Sequence, residues 1–164
     1  MPTVDAMVDV TSARVWAEIE RQVFAVVGMV SARGHGRTVG IVPVVHDRSL
    51  WFVTKDGEWK VAHLRANPEV SVTVPLHRRV PLMPWIKIPA ATITMSGTAE
   101  VVPGPQLPAR VWHALTRGLE VAGGAEQHVG VRIMPHGDFV TYGVGVSLLG
   151  MRDTEAARGR VPVG

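Results

Sequence analysis

The first hydrophobic pattern along the chain is that of an amphipathic helix. Apolar residues recur every three or four positions after Thr11 and Ser12, either of which can cap a helix, and charged residues occupy the opposite face. The apolar positions are Val15, Trp16, Ile19 and Val23. The next run, residues 24–32, is almost continuously apolar and ends at Gly34 and Gly36, which tolerate the positive φ of a hairpin turn. The pattern predicts a helix, then a buried strand and a tight turn.

Short strands fill most of the remaining chain. The predicted strands after the first are 38–45, 50–54, 70–74, 92–101 and 128–134, with 139–142 continuing the last or pairing with it. Strict alternation of apolar and polar residues in 70–74 indicates a strand with one solvent-exposed face. The first three strands follow one another closely and predict an antiparallel meander. Gly97 interrupts the strand 92–101, where we expect a bulge or a sharp bend.

Two more helices are predicted among these strands. Residues 60–66 form a short one that Asn67-Pro68 ends, because the residue before a proline disfavours the α region. Pro105 suits the first position of the other, in which every fourth residue is apolar and a glycine pair at 123–124 closes the element. The apolar positions of that helix are Leu107, Val111, Leu115 and Leu119.

This order of elements predicts a mainly β fold with inserted helices. Strands joined by short turns favour an antiparallel barrel of six or seven strands, closed or split. The 164 residues fit one domain, 1–164, whose core spans about residues 12–142, while the tail 143–164 is only weakly periodic. Residues 75–89 contain four prolines and predict a loop, whose apolar side chains we expect to cover a split face in a homodimer. These side chains include Met83, Trp85 and Ile86.

Composition narrows the class of protein. The apolar fraction of 46% and charged fraction of 19% are those of a folded chain, and the absence of cysteine excludes disulfides, thiol nucleophiles and zinc fingers. The longest uncharged run, 23–32, is about half of a membrane-spanning helix, and the first residues do not resemble a secretory leader. We therefore expect a cytoplasmic protein without a membrane span. A net charge of +3 and 5% aromatic residues do not favour nucleic-acid binding.

The histidines and serines do not predict a metal site or a hydrolase. None of the seven histidines has the spacing of a zinc-binding helix, and no Gly-x-Ser-x-Gly motif is present. His63 differs from the others because it lies one helical turn after Lys60 and on the same face.

The turn between the third strand and the short helix carries a candidate anion site. Thr54 and Lys55 end the strand, Gly57 gives the turn flexibility, and Lys60 lies in the first turn of the helix. Hydroxyl, ammonium and unpaired helix N–H groups at one place suit a phosphate. The alternative is an ordinary strand-to-helix turn with solvated lysines.

The same segment resembles a known family. The spacing from Thr54 to Lys60, followed by Leu-Arg-Ala-Asn-Pro at 64–68, resembles the motif of the pyridoxamine 5′-phosphate oxidase-like, flavin-binding split-barrel superfamily. The resemblance extends over about residues 12–142. It implies an FMN-binding type of split barrel in which Thr54 and Lys60 bind the cofactor phosphate. It also implies a flavin ring at a dimer interface, near the second and third strands. The ring residues would be Val42, Pro43 and Val53, and Lys55, Trp59 and His63 are further candidate cofactor contacts.

The sequence also departs from the family pattern. Members that bind FMN often have serine and arginine immediately before the lysine, where this chain has Glu58 and Trp59. Thr38 and Pro43 stand approximately where oxidases of the family place an arginine and a lysine on the second strand. The C-terminal substrate-binding extension of true pyridoxamine phosphate oxidases is not found, so we do not expect that activity.

These observations lead to two functional hypotheses. The first is an oxidoreductase that transfers hydride between F420 or FMN and a small-molecule substrate, with no side chain identified as a proton donor. F420-using members of the family share the single-domain length, and Glu58 should disfavour the doubly charged phosphate of FMN. Arg78 and Arg79 either meet a longer anionic tail or are solvated. The second hypothesis is a non-enzymatic protein that binds a cofactor or haem.

Overall fold

The first helix forms where the hydrophobic pattern places it. The structure, a computed structural model, describes residues 10–77, 91–147 and 150–164. Helix α1 (Ser12–Glu20) begins after Thr11, whose hydroxyl accepts a hydrogen bond from the Arg14 amide at 3.3 Å. Its apolar face is buried, but the helix ends before Val23, which is exposed.

Eight strands and two further helices follow in the described residues. The strands are β1 (Ala25–Val30), β2 (Gly36–Ile41), β3 (Val44–His46), β4 (Ser49–Lys55), β5 (Glu69–Leu76), β6 (Ala91–Pro103), β7 (His128–Tyr142) and β8 (Arg158–Pro162). The helices are α2 (Trp59–Ala66) and α3 (Ala109–Thr116). Helix α2 ends at Asn67 as predicted, where the Asn67 amide donates to the His63 carbonyl at 2.8 Å.

The strands form one antiparallel sheet in the order β2-β1-β5-β6-β7-β4-β3, with β8 also paired to β7. Within the described residues, the end strands β2 and β3 do not pair with each other, so the sheet stays open. The prediction of a mainly β, antiparallel split barrel is confirmed. The structure has eight strands, one more than the predicted six or seven. The predicted second strand is divided in two and the tail adds β8, whereas the two strands predicted within 128–142 form one continuous strand.

The predicted three-strand meander is wrong within its second strand. The strand expected over 38–45 breaks at Val42-Pro43, since proline has no N–H with which to continue a strand ladder. Strand β2 pairs with β1, and β3 pairs with β4, so the two halves lie at opposite ends of the sheet. The break therefore creates the two free edges of the split barrel.

The main core lies between the curled sheet and α1. Trp16 of the helix contacts Phe139 of β7 edge to face, with ring centroids 5.3 Å apart. A smaller apolar cluster, Trp51, Leu107 and Val111, packs beneath α3. It lies on the other side of β4 because successive side chains on a strand point to opposite faces.

Two local predictions need correction. Pro105 lies in a 3₁₀ turn, and α3 begins after Pro108 and ends at the left-handed residue Arg117 (φ 55°), which leaves Leu119 72% exposed. The irregularity of β6 falls between Thr94 and Ser96 and not at Gly97. Gly97 serves a close approach instead, because a Cβ there would lie 2.9 Å from the Ile133 side chain.

The C-terminal tail belongs to the core, contrary to the predicted core limit at residue 142. Strand β8 pairs with β7, and the Ser12 hydroxyl donates to the Val163 carbonyl at 2.6 Å. The tail's buried apolar side chains are Val144, Met151, Ala157 and Val163. The chain thus closes against its first helix.

Most of the predicted loop 75–89, including Arg78, Arg79, Met83, Trp85 and Ile86, lies outside the described residues; Pro75 and Leu76 belong to β5. In the described ranges, no helix has the length and apolar character to cross a membrane. The same ranges contain no group of three or more histidine or acidic residues arranged to hold a metal ion.

Candidate functional site

The turn before α2 uses most of its own backbone donors. The Asp56 amide donates to the Gln127 carbonyl at 3.0 Å, and the Glu58 amide donates to the Lys55 carbonyl at 3.4 Å. The Gly57 amide donates to the Asp56 carboxylate at 3.1 Å. Gly57 has φ 90°, a conformation that a side chain would strain. These three amides are therefore occupied within the chain.

Lys60 is also engaged within the chain. Its Nζ lies 3.2 Å from Oε2 of Glu58, and the lysine side chain is only 16% exposed while that of Glu58 is 40% exposed. The carboxylate predicted to repel a phosphate is thus the direct partner of the lysine predicted to bind one. Lys55, at the end of β4, is exposed to solvent.

Two predicted residues of α2 meet two residues of β2 across a cavity of about 510 Å³. Its lining residues are Arg37 and Thr38 of β2 and Trp59 and His63 of α2. The rings of Trp59 and His63 contact each other edge to face, with centroids 5.3 Å apart. We call this cavity the β2–α2 groove.

A second cavity, of about 390 Å³, adjoins the groove at Arg37 and His63. Arg33 and His35 of the β1–β2 hairpin add basic side chains to its lining, and Ala62 and Ala66 contribute small ones. The residues that line the two cavities include no carboxylate. Arg37 and Thr38 also line a third cavity, of about 570 Å³, whose lining includes Glu69 and His136, so a carboxylate residue lies near Arg37 on that side.

Val42 and Pro43 line a different cavity. It measures about 430 Å³, lies between α1, the β2–β3 break and α3, and shares no lining residue with the groove. Pro43 is buried, whereas Val42 is 57% exposed. Val42 and Pro43 are thus separate from Trp59 and His63 in the single chain, and neither of the predicted phosphate-binding residues, Thr54 and Lys60, lines the groove.

Val53 and Thr54 point to opposite faces of β4. Thr54 is buried and shares the face of Phe52, which lies in the main core. Val53 shares the face of Trp51, in the cluster beneath α3. Their side chains cannot line one cavity of this chain together.

The structure therefore brings Trp59 and His63 together and adds Arg37, which the sequence interpretation did not single out. Its only sequence signal is its position next to Thr38, the residue aligned with a family arginine. In the described residues β2 pairs with β1 alone, and Arg37 lines the groove together with residues of α2.

Comparison with solved structures shows that the fold recurs widely. An F420 reductase has 19% identity and a TM-score of 0.56, covering 75% of this chain and 93% of its own. An FAD-binding protein from Mesorhizobium loti has 20% identity and a TM-score of 0.58, with 77% and 88% covered. A haem storage protein from Vibrio cholerae has 13% identity and a TM-score of 0.58, with 80% and 94% covered.

Among curated proteins, none matches this sequence. The sequence model of the pyridoxamine 5′-phosphate oxidase family, however, matches residues 12–135. That span covers α1, both halves of the divided strand, the turn before α2 and about half of β7. The chain belongs to the pyridoxamine 5′-phosphate oxidase family, as its resemblance to flavin-binding split barrels predicts.

Proposed function

We propose that the protein binds a flavin or deazaflavin cofactor, F420 or FMN, by its phosphate group in the β2–α2 groove and acts as an oxidoreductase on a small molecule. The observation that carries this proposal is the groove itself, where Arg37 and Thr38 of β2 face Trp59 and His63 of α2. Family membership and the neighbouring F420 reductase and FAD-binding structures agree with it.

The side chains of the groove fit a phosphate. A guanidinium offers paired N–H donors that match phosphate oxygens, and the ring nitrogens of Trp59 and His63 add further donor groups. No carboxylate lines the cavity to oppose an anion. A bound flavin-type cofactor would supply hydride transfer, while these residues would hold and orient it.

The distance along β2 suits a cofactor with separate phosphate and ring ends. Thr38 and Val42 are four residues apart on an extended segment, which is about 13 Å at 3.3 Å per residue. We propose that the ring lies toward Val42 and Pro43, where their cavity opens beside α3, while the phosphate lies at the groove. Val53 would then support this region indirectly, through the packing of β4, and would not contact the ring.

We further propose that F420 is preferred over FMN. The terminal phosphate of FMN carries nearly two negative charges at neutral pH, whereas the phosphodiester inside F420 carries one. The Glu58 carboxylate, which lies close to Lys60, repels the doubly charged phosphate of FMN more than the singly charged phosphodiester of F420. Because Glu58 is partly exposed, the difference should be only about 1 kcal/mol, and salt should reduce it.

A cofactor titration tests this function. The purified protein should quench or shift the fluorescence of both cofactors, with tighter binding to F420, and the preference should decline as the ionic strength rises. Isothermal titration at low and high salt measures both affinities. If the protein binds neither cofactor, the proposed function is wrong; if FMN binds more tightly, the charge argument is wrong.

A haem-binding protein without enzymatic activity is the second candidate. His63 lines the groove, and a neutral imidazole nitrogen is a common haem ligand. The Vibrio cholerae protein of the same fold is a haem storage protein. A Soret band on haem addition that is lost in His63→Ala, without any flavin binding, would support this function over the first.

We also propose that the protein forms a homodimer through the β2 end of the sheet. Val23, Phe24 and Val42 are exposed apolar residues near the end of β2, and the Phe24 ring covers Gly40. In the described residues β2 pairs with β1 alone, so its outer edge is open. A second copy of the chain would cover the patch and bring another surface toward the Val42 cavity.

Sedimentation velocity at micromolar concentration tests the dimer. The parent should sediment as a dimer, and Val42→Lys should shift it toward the monomer because a charge would be buried at the interface. Val140→Lys, which changes an exposed valine of β7, is the matched control and should leave the dimer intact. A parent protein that is monomeric throughout would contradict the proposal.

A further inference from the structure

Trp59 is the one exposed tryptophan among the residues that the structure describes. It is 45% exposed, whereas Trp16 and Trp51 are 6% and 5% exposed. Helix α2 buries Val61 and Leu64 against the sheet, and Trp59, at the start of the same helix, lines the groove instead. A large apolar ring that lies in water beside a cavity favours any ligand that covers it, because covering it removes apolar area from water.

His63 supports the indole of Trp59. It lies one helical turn later, and the two rings meet edge to face with centroids 5.3 Å apart and an interplanar angle of 67°. This contact orients the indole and covers one side of it at most. The indole is therefore a preorganised flat surface, on which a planar ligand can stack with little loss of side-chain freedom.

The groove has the size and the charge for a planar ring joined to a phosphate. Its volume of about 510 Å³ lies within the range of small-molecule sites, roughly 300 to 1,000 Å³. Arg37 and His63 place basic groups beside the indole, and no carboxylate lines this cavity, although Glu69 lines the neighbouring cavity of about 570 Å³. An aromatic side chain next to basic ones is a common arrangement for holding nucleotides, because every base has an aromatic face.

Trp59 also stands where this chain departs from the family pattern. Members that bind FMN often have arginine immediately before the lysine, and this chain has Trp59 before Lys60. An arginine there offers charge to the phosphate that ends FMN, whereas an indole offers stacking area and one N–H. The difference favours a ligand that continues beyond the phosphate with a second ring.

We propose that Trp59 is the stacking surface for a purine ring, and that the groove holds an adenine nucleotide. This chemistry has two sources, the adenosine diphosphate half of FAD and a free nucleotide. For the first source the inference rests on the proposed function. The flavin ring would lie toward Val42, about 13 Å from Thr38 at 3.3 Å per residue, and the adenine ring would lie at the other end, on Trp59. FAD therefore gains a contact that FMN lacks.

Two substitutions of Trp59 test the stacking site by calorimetric titration with FAD, FMN and ADP. The parent should bind FAD more tightly than FMN, and Trp59→Leu should weaken FAD and ADP binding about 5- to 100-fold, the loss expected for one base–aromatic stack. FMN affinity should change less than about threefold. Trp59→Phe keeps an aromatic face and should retain most of the affinity. Leu119→Ala, which changes an exposed apolar side chain outside the groove, is the matched control and should bind like the parent.

Thermal unfolding with ADP and with inorganic pyrophosphate separates stacking from charge. ADP should raise the Tm of the parent more than pyrophosphate does at the same concentration, and Trp59→Leu should remove the difference. Stabilisation by ADP without any flavin binding would refute the proposed function and identify a free nucleotide as the ligand. A preference for FAD over FMN that depends on Trp59 would identify the dinucleotide.

Three results would overturn the inference. An equal loss of FMN and FAD affinity in Trp59→Leu would place the flavin ring itself on the indole. Equal stabilisation by ADP and pyrophosphate, together with equal affinities for FAD and FMN, would show that no purine is bound. A shift of Trp59→Leu from dimer to monomer in sedimentation velocity, with unchanged nucleotide affinities, would make the indole a subunit contact. Trp59 lies outside the main core, and circular dichroism checks that its variants fold.

Discussion

A chain that ends at Tyr142 should fail to fold. The deletion removes β8 from the edge of β7 and exposes the pocket that Val144, Met151 and Val163 fill. Each large apolar side chain contributes about 1.5 to 3 kcal/mol by burial, so the combined loss is comparable to the stability of a whole domain. Far-ultraviolet circular dichroism and thermal unfolding of the truncated chain would measure this loss.

The control for this experiment keeps the tail but removes one of its surface interactions. Arg160 of β8 forms an exposed ion pair with Asp138 at 3.4 Å, and Arg160→Ala should change stability by less than about 1 kcal/mol. If the truncated chain unfolds at the temperature of the parent, the tail is an accessory segment and the described packing is wrong.

Gly104→Ala should lower the stability of the protein strongly, because Gly104 lies in a buried turn. Gly104 is buried, and a Cβ there would overlap the Ala125 carbonyl oxygen and lie 2.6 Å from the His128 carbonyl oxygen. Backbone atoms cannot rotate away, so the turns Gly104–Gln106 and Ala125–Gln127 would have to separate. Overpacking of this kind typically costs about 1 to 3 kcal/mol, and sometimes more.

Gly36→Ala is the matched control, because a Cβ at Gly36 would meet no atom within 4 Å. Urea unfolding of both variants gives the comparison, and Gly36→Ala should remain within about 0.5 kcal/mol of the parent. Equal stability of the two variants would mean that the two turns do not pack as described. The position of α3, which follows the first turn, depends on this packing.

Local patterns predicted much of the fold. The Thr11 cap, the alternation in 70–74 and the Asn67-Pro68 stop each act within a few residues, so the sequence alone indicates α1, β5 and the end of α2. The proline at position 43 is a local signal for the break between β2 and β3, but the predicted strand 38–45 continued through it. The sequence pattern did not indicate the role of the tail, because β8 is stabilised by pairing with a strand that precedes it by about twenty residues.

The candidate site was less predictable for the same reason. His63 follows from its helical spacing to Lys60 and Trp59 from the resemblance to the family, and the structure places both in the groove. Arg37 depends on the packing of a hairpin against a helix, which no local spacing encodes. Glu58 was expected to repel a phosphate, and only the structure shows that its nearest cation is Lys60.

The open sheet has a consequence for local stability. Strand β2, which carries Arg37 and Thr38, is held to the described sheet along one edge, whereas β5 and β6 have partners on both sides. Its amides therefore need a smaller local opening to exchange with solvent than those of the central strands. A ligand that bridges β2 and α2 would close off that opening, so occupancy of the groove would be linked to the rigidity of the strand that forms it.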